Sequence, residues 1–191
     1  MPRIIRKSKA GFTLVELMIV VAIVGILAVL AIYGVRKYIA NAKTTEARNS
    51  LGQISKDAIA SYERETMGSA VLAQQASTAV LRQLCASEAG TVPAAGIAAV
   101  AAQKYQSSQA DWNAGSAANA GFACLKFSMD QPQYYAYAYT RAGAAPGTGF
   151  TASALGDLDG DGTGSTFSIT GTIQGGALNV APSIAEVEPE E

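Results

Sequence analysis

The sequence predicts an α+β fold: one long N-terminal α-helix followed by an antiparallel β-sheet of about four strands. Two observations carry this. Leu17 to Val35 is a run of nineteen residues without a charge, and no proline occurs between Phe12 and Gly68. Later in the chain, short segments of strand character follow one another with tight turns between them, which favours antiparallel pairing.

The N-terminal elements come first in the argument. Residues 1–10 carry Arg3, Arg6, Lys7 and Lys9 and no acid. About 20 apolar residues cross a bilayer as a helix, and the uncharged run is of that length. Glu16 stands one step before it. A carboxylate at bilayer depth costs roughly 2.5–3.5 kcal/mol on insertion scales and usually has a partner there. Alternatively, Glu16 sits at the headgroup boundary as a helix-start residue, near the positive end of the helix dipole. An ordinary secretory signal peptide competes for this N-terminus, but it needs a 7–15-residue apolar region and a small-residue cut site after it. Orientation does not follow from charge: Arg3, Arg6, Lys7 and Lys9 precede the run, and Arg36, Lys37, Lys43 and Arg48 follow it.

Gly11-Phe12-Thr13-Leu14-Val15-Glu16, with a short basic leader before it and LMIVVAIVGILAVLAI after it, resembles a type IV prepilin of the type IVa kind over residues 7–32. The resemblance implies a pilin fold and cleavage by a prepilin peptidase between Gly11 and Phe12, with N-methylation of Phe12. It further implies that Glu16 pairs with the Phe12 amine of a neighbouring subunit during assembly, and that the N-terminus faces the cytoplasm. Pairing a carboxylate with an ammonium in an apolar setting satisfies both and fixes the register of one helix on the next. One departure stands out. Many relatives have a proline near the end of the apolar run, where this chain reads Ala31-Ile32-Tyr33-Gly34. Gly25 and Gly34 are its only weak helix points, each costing about 1 kcal/mol relative to Ala.

The expected organisation is a cleaved leader at 1–11, a transmembrane and filament-core helix at 12–35, its amphipathic continuation at 36–67, and an extracytoplasmic head at 68–191. In the continuation, Val35, Ile39, Ala42, Ala47, Leu51, Ile54, Ala58 and Tyr62 recur mostly at steps of three and four, which is one helix face. A continuous helix of 56 residues from Phe12 to Met67 would be about 84 Å long, with Gly68 as its C-cap. Residues 69–84 read as a short second helix. Residues 85–121, rich in Ala, Gly and Ser, read as irregular or marginally helical. Strands are expected at 122–129, 133–141, 149–155 and 165–174, with Tyr135, Tyr137 and Tyr139 on one face. The acidic end, Glu186 to Glu191, reads as a solvated tail.

Cys85 and Cys124 fall on the extracytoplasmic side of this scheme, where two cysteines usually pair. The alternative is two buried free thiols. Asp157, Asp159 and Asp161, with Gly160 and Gly162 among them, resemble the first half of a calcium loop. Twelve residues from the loop start stands Ser168 and not Glu, so a complete EF-hand is rejected. What remains is a shorter calcium turn or an Asp/Gly hairpin turn that needs no ion.

Composition narrows the function classes. The chain is 49% hydrophobic and 15% charged, which excludes a disordered chain. Lys+Arg 14 against Asp+Glu 15 gives net −1, so no nucleic-acid partner is expected. There is no histidine, nucleophile–base arrangement or phosphate-binding loop, so no enzyme and no required cofactor is expected. The favoured reading is a structural subunit of a type IV pilus serving adhesion or motility. The resemblance supplies its partners: other copies of the chain, the prepilin peptidase, the pilus assembly platform with its motor ATPases, and the bacterial inner membrane before export to the cell surface. A minor pilin or secretion pseudopilin is the first alternative. A membrane-anchored periplasmic binding module that never polymerises is the second, and it gives Glu16 no use.

Overall fold

The computed structural model describes residues 11–64, 66–67, 80–114 and 119–189. The chain divides into two compact units, one ending at Ile39 and the other beginning at Ala40. In order, the elements are α1 (Leu14–Glu63), β1 (Thr66–Met67), β2 (Val80–Leu81), β3 (Thr91–Val92), a 3₁₀ turn (Gly96–Ala99), α2 (Gln109–Trp112), α3 (Gly121–Leu125), β4 (Ala136–Ala142), β5 (Gly149–Gly156), β6 (Ser165–Gln174), β7 (Ala177–Val180) and β8 (Ala185–Val187). The α+β class holds. The helix is shorter than expected by two residues at its start and four at its end, and it passes through Gly25 and Gly34 without interruption.

Within the second unit, α1 buries Thr44, Ala47, Ser50, Leu51, Ile54, Ser55, Ala58, Ser61 and Tyr62. Their spacing follows one face of a 3.6-residue repeat. Ala47, Leu51, Ile54, Ala58 and Tyr62 lie on it as the sequence implied, whereas Val35, Ile39 and Ala42 are exposed. Those three precede or adjoin the start of this unit, so apolar periodicity continues past the point where the head supplies cover.

The main sheet has six strands, not four. β3, β4, β5, β6 and β7 are neighbours in that order, β8 also pairs with β6, and every pairing is antiparallel. β5 and β6 fall where alternation placed them. Gly175 and Gly176, with φ of +60° and +80°, form the two-residue β6–β7 turn, which requires left-handed conformations at both positions. β3 was missed because it has two residues. β8 was missed because an acidic stretch reads as solvated, yet Glu186 and Val187 belong to it.

Two further expectations are corrected. The strand expected at 122–129 is instead α3 followed by irregular chain. A short apolar run is ambiguous between helix and strand, and here helical spacing lets Phe122 and Leu125 both point inward. The Glu88 carboxylate accepts the Phe122 N–H (3.1 Å) at the start of this turn. The helix expected at 69–84 lies for the most part outside the described residues, as does its Gly68 cap. Where the chain is described, Val80–Leu81 is a strand paired with Thr66–Met67.

Tyr135, Tyr137 and Tyr139 are buried and point to one side, as alternation requires. Burial pushes the Tyr135 hydroxyl up to about 12 and raises those of Tyr137 and Tyr139 as well, so all three stay neutral. Tyr135 meets Phe167 edge-on at 5.6 Å, and Trp112 meets Phe122 and Phe127 edge-on at 5.0 and 5.3 Å. Such pairs add about 0.5–1.5 kcal/mol beyond their buried area.

Two charged groups on α1 tie the helix to the sheet. Glu46 accepts the Tyr134 N–H (2.9 Å) and the Tyr137 hydroxyl proton (3.2 Å). Arg48 donates through Nε and Nη2 to both oxygens of Glu186 on β8, at 2.8 and 3.0 Å. That fork is the bidentate geometry an Arg–carboxylate pair prefers. Arg48 holds the Glu186 carboxyl below its ordinary value, chiefly through the hydrogen bond. Since the folded pKa is lowered, the pair stabilises the fold above the unfolded Glu value of about 4.3 and ceases to do so as pH falls through the folded value. Thermal unfolding of the chain and of Glu186→Gln should therefore differ near neutrality, with the unaltered chain the more stable. The two Tm values should converge as the pH drops below that range.

Candidate functional site

The first candidate site is the N-terminal part of α1. Every described residue from Gly11 to Ile39 is exposed, Phe12, Leu14, Met18, Val29 and Tyr33 among them. Among the described residues, this helix is long and apolar enough to cross a membrane. An apolar surface of this extent is unstable in water and needs lipid or protein around it.

At the start of the helix, Glu16 and Thr13 satisfy each other. The Thr13 N–H and hydroxyl both donate to Glu16 Oε2 at 2.8 Å, and the Glu16 N–H donates to Thr13 Oγ1 at 3.3 Å. This reciprocal capping box fills N–H groups that a helix start leaves without partners. The helix-start reading of Glu16 is therefore realised within the chain. Both bonds fall on Oε2, and a carboxylate offers about four acceptor sites. Sequence reasoning singled out Glu16 but not Thr13, although Thr-x-x-Glu before an apolar run is the sequence signature of such a box. Gly11 and Phe12 precede the helix without regular structure.

The structure joins Cys85 to Cys124 in a disulfide with the Cα atoms 5.8 Å apart. The segment between them carries Trp112 and Phe122, which reach the core despite the small residues around them. Beside the disulfide, Arg64 at the end of α1 donates to the Cys124 carbonyl at 2.7 Å.

The second candidate site is the β5–β6 loop. One carboxylate oxygen from each of Asp157, Asp159 and Asp161 lies within 4.8 Å of the others. Asp157 is buried, and its two oxygens accept the Gly160 N–H (2.7 Å) and the Gly162 N–H (3.2 Å). Asp159 accepts the Asp161 N–H (3.2 Å), and Asp161 accepts the Thr163 N–H (2.6 Å). These side-chain-to-backbone bonds hold the turn closed by themselves. Asp159 and Asp161 are exposed, and all three keep acceptor capacity for a cation. The loop can thus be built without an ion and retains donor atoms suited to a hard one.

Comparison with known proteins bears on the first site. The model of the prokaryotic N-terminal methylation motif matches residues 6–32. The type IV major alpha-pilin of Moraxella bovis is 40% identical over 89 residues, which are 45% of this chain and 54% of that protein. The fimbrial protein EcpC of Eikenella corrodens is 43% identical over 58 residues, 30% of this chain and 37% of the relative. The type IV major fimbrial protein FimA of Dichelobacter nodosus is 47% identical over 49 residues, 26% of this chain and 31% of the relative. The matches thus span about a third to about half of these relatives' lengths. No solved structure matches the chain significantly. The chain is similar to type IV pilins and fimbrial proteins, and its residues 6–32 match the methylation motif.

Proposed function

We propose that this chain is the structural subunit of a type IV pilus. It is inserted in the bacterial inner membrane as a precursor, cut between Gly11 and Phe12, methylated at Phe12, and polymerised through its N-terminal helix into a cell-surface filament for adhesion or motility. The observation that carries the reading is the join of a methylation motif at residues 6–32 to a helix exposed from Leu14 to Ile39. The relatives named as major pilins and fimbrial proteins support a filament subunit over a periplasmic anchor. The prepilin peptidase, the assembly platform and its motor ATPases are the partners this reading brings with it.

Glu16 has a defined part in the proposal. In hydrocarbon its carboxylate and the Phe12 ammonium are each costly alone, and pairing them between subunits offsets part of both costs. Apolar rows alone tolerate sliding, whereas a single charge pair sets one register. Mass spectrometry of filaments sheared from cells should find a chain starting at N-methylated Phe12, with eleven of the 191 residues removed to leave 180. A chain starting beyond residue 30 would identify an ordinary signal peptide. Glu16→Ala, expressed as the only copy, should still enter the membrane and be cut after Gly11, but it should be absent from the sheared fraction. Normal filament yield from that variant would contradict the pairing.

Calcium at Asp157, Asp159 and Asp161 is a secondary proposal, supported by their carboxylate oxygens lying within 4.8 Å of one another. The loop's own hydrogen bonds favour the ion-free turn, so measurement decides. If the ion binds, Tm of the chain should rise with calcium and fall back with chelator, the gain reaching about 2.7 kcal/mol at 100 times the dissociation constant. Asp159→Asn with Asp161→Asn should abolish that response. Equal melting curves in calcium and chelator would leave the turn alone.

A further inference from the structure

Both open edges of the six-stranded sheet are interrupted. At one edge, β3 has two residues and Pro93 follows it. At the other, β7 and β8 share the outer side of β6. β7 sets Ala177–Val180 opposite Gln174–Gly171, and β8 sets Ala185–Val187 opposite Ser168–Thr166. Residues 181–184 therefore stand opposite only Ile169 and Thr170. β7 and β8 are one edge strand broken by a bulge of two extra residues.

The bulge contains Pro182. The Ala181 N–H donates to the Thr170 carbonyl at 2.8 Å, so it points inward to β6. By strand alternation the next backbone nitrogen points outward, where a neighbouring strand would look for a donor, and proline has none. Past the bulge β8 is only three residues long, and Glu188 and Pro189 follow it directly. Short edges, prolines, bulges and charges are the means by which sheets avoid edge-to-edge pairing.

We infer that the 181–184 bulge is an edge guard against a second copy of this chain. The species it excludes is a pair of heads joined strand to strand along their β7–β8 edges. Its usefulness in a filament, where heads are crowded, rests on the proposed function. The guard itself is a property of the head and is tested without any filament.

The experiment uses the full chain extracted into detergent micelles. Deleting Pro182 and Ser183 brings Ala185 two places back, into one continuous ladder with β7. The deletion chain should lose the size-exclusion peak of the unaltered chain. It should appear instead as larger species with thioflavin T fluorescence and an infrared band of intermolecular β-structure. A second variant adds Val180→Pro to the deletion. The Val180 N–H faces away from β6, by alternation from Ala181, so the inner ladder survives while the outer edge loses a donor. Size and fluorescence should then return to those of the unaltered chain. A deletion chain that keeps the original size overturns the inference, and so does association that persists with Val180→Pro, since it then comes from misfolding. Neither result depends on whether filaments form, and failure to form filaments leaves both unchanged.

Discussion

The uncovered apolar surface of α1 between Phe12 and Ile39 is the constraint on which the rest depends. A helix greasy on every side has two stable environments, a bilayer and a bundle of similar helices. The sequence permits both in succession, because one carboxylate at the helix start is the only charged side chain between Phe12 and Arg36. In the isolated chain that carboxylate serves its own helix through Thr13. Its remaining acceptor sites leave it able to serve a neighbour without giving up the cap. In the proposed filament, the cost of burying that charge would become a means of specifying register.

The head solves a different problem. Its composition is rich in Ala, Gly and Ser, which bury little area each. A few large side chains compensate: Trp112, Phe122, Tyr135, Tyr137, Tyr139, Phe150 and Phe167 are all buried. Small residues on the inner face of α1, such as Ala47, Ser50 and Ala58, leave room for that aromatic layer. The Cys85–Cys124 disulfide then restrains a segment with little core of its own. In the chain-entropy model, closing a loop of this size stabilises by about 4 kcal/mol.

Much of this was legible in the sequence, and the exceptions have identifiable causes. The long helix could be read from the absence of proline and from its change of periodicity, and β5 and β6 from alternation between turn residues. The tyrosine face followed from its period of two. The segment 122–129 was misread because five or six apolar residues fit either period until Phe122 and Leu125 are seen to share a direction. β3, β7 and β8 were invisible because two to four residues carry no period, and β8 because its acids looked like a tail. The contacts of Glu46 and Arg48 were not legible, since their partners at Tyr134, Tyr137 and Glu186 lie far along the chain. At the candidate sites, the motif around Gly11 and Glu16 was legible in full, whereas the capping role of Thr13 was not singled out. The aspartate loop was recognised as a turn with carboxylates, and its internal hydrogen bonds came only from the structure.

The central claim is that other copies of the same helix cover Phe12 to Ile39 in the assembled state. A helical reconstruction of purified filaments by cryo-electron microscopy tests it most directly. The account predicts this segment enclosed on all sides by equivalent segments, with the Phe12 amine of one subunit within hydrogen-bond distance of Glu16 in the next. Filaments in which the segment faces solvent, or in which Glu16 meets no neighbouring amine, would contradict it.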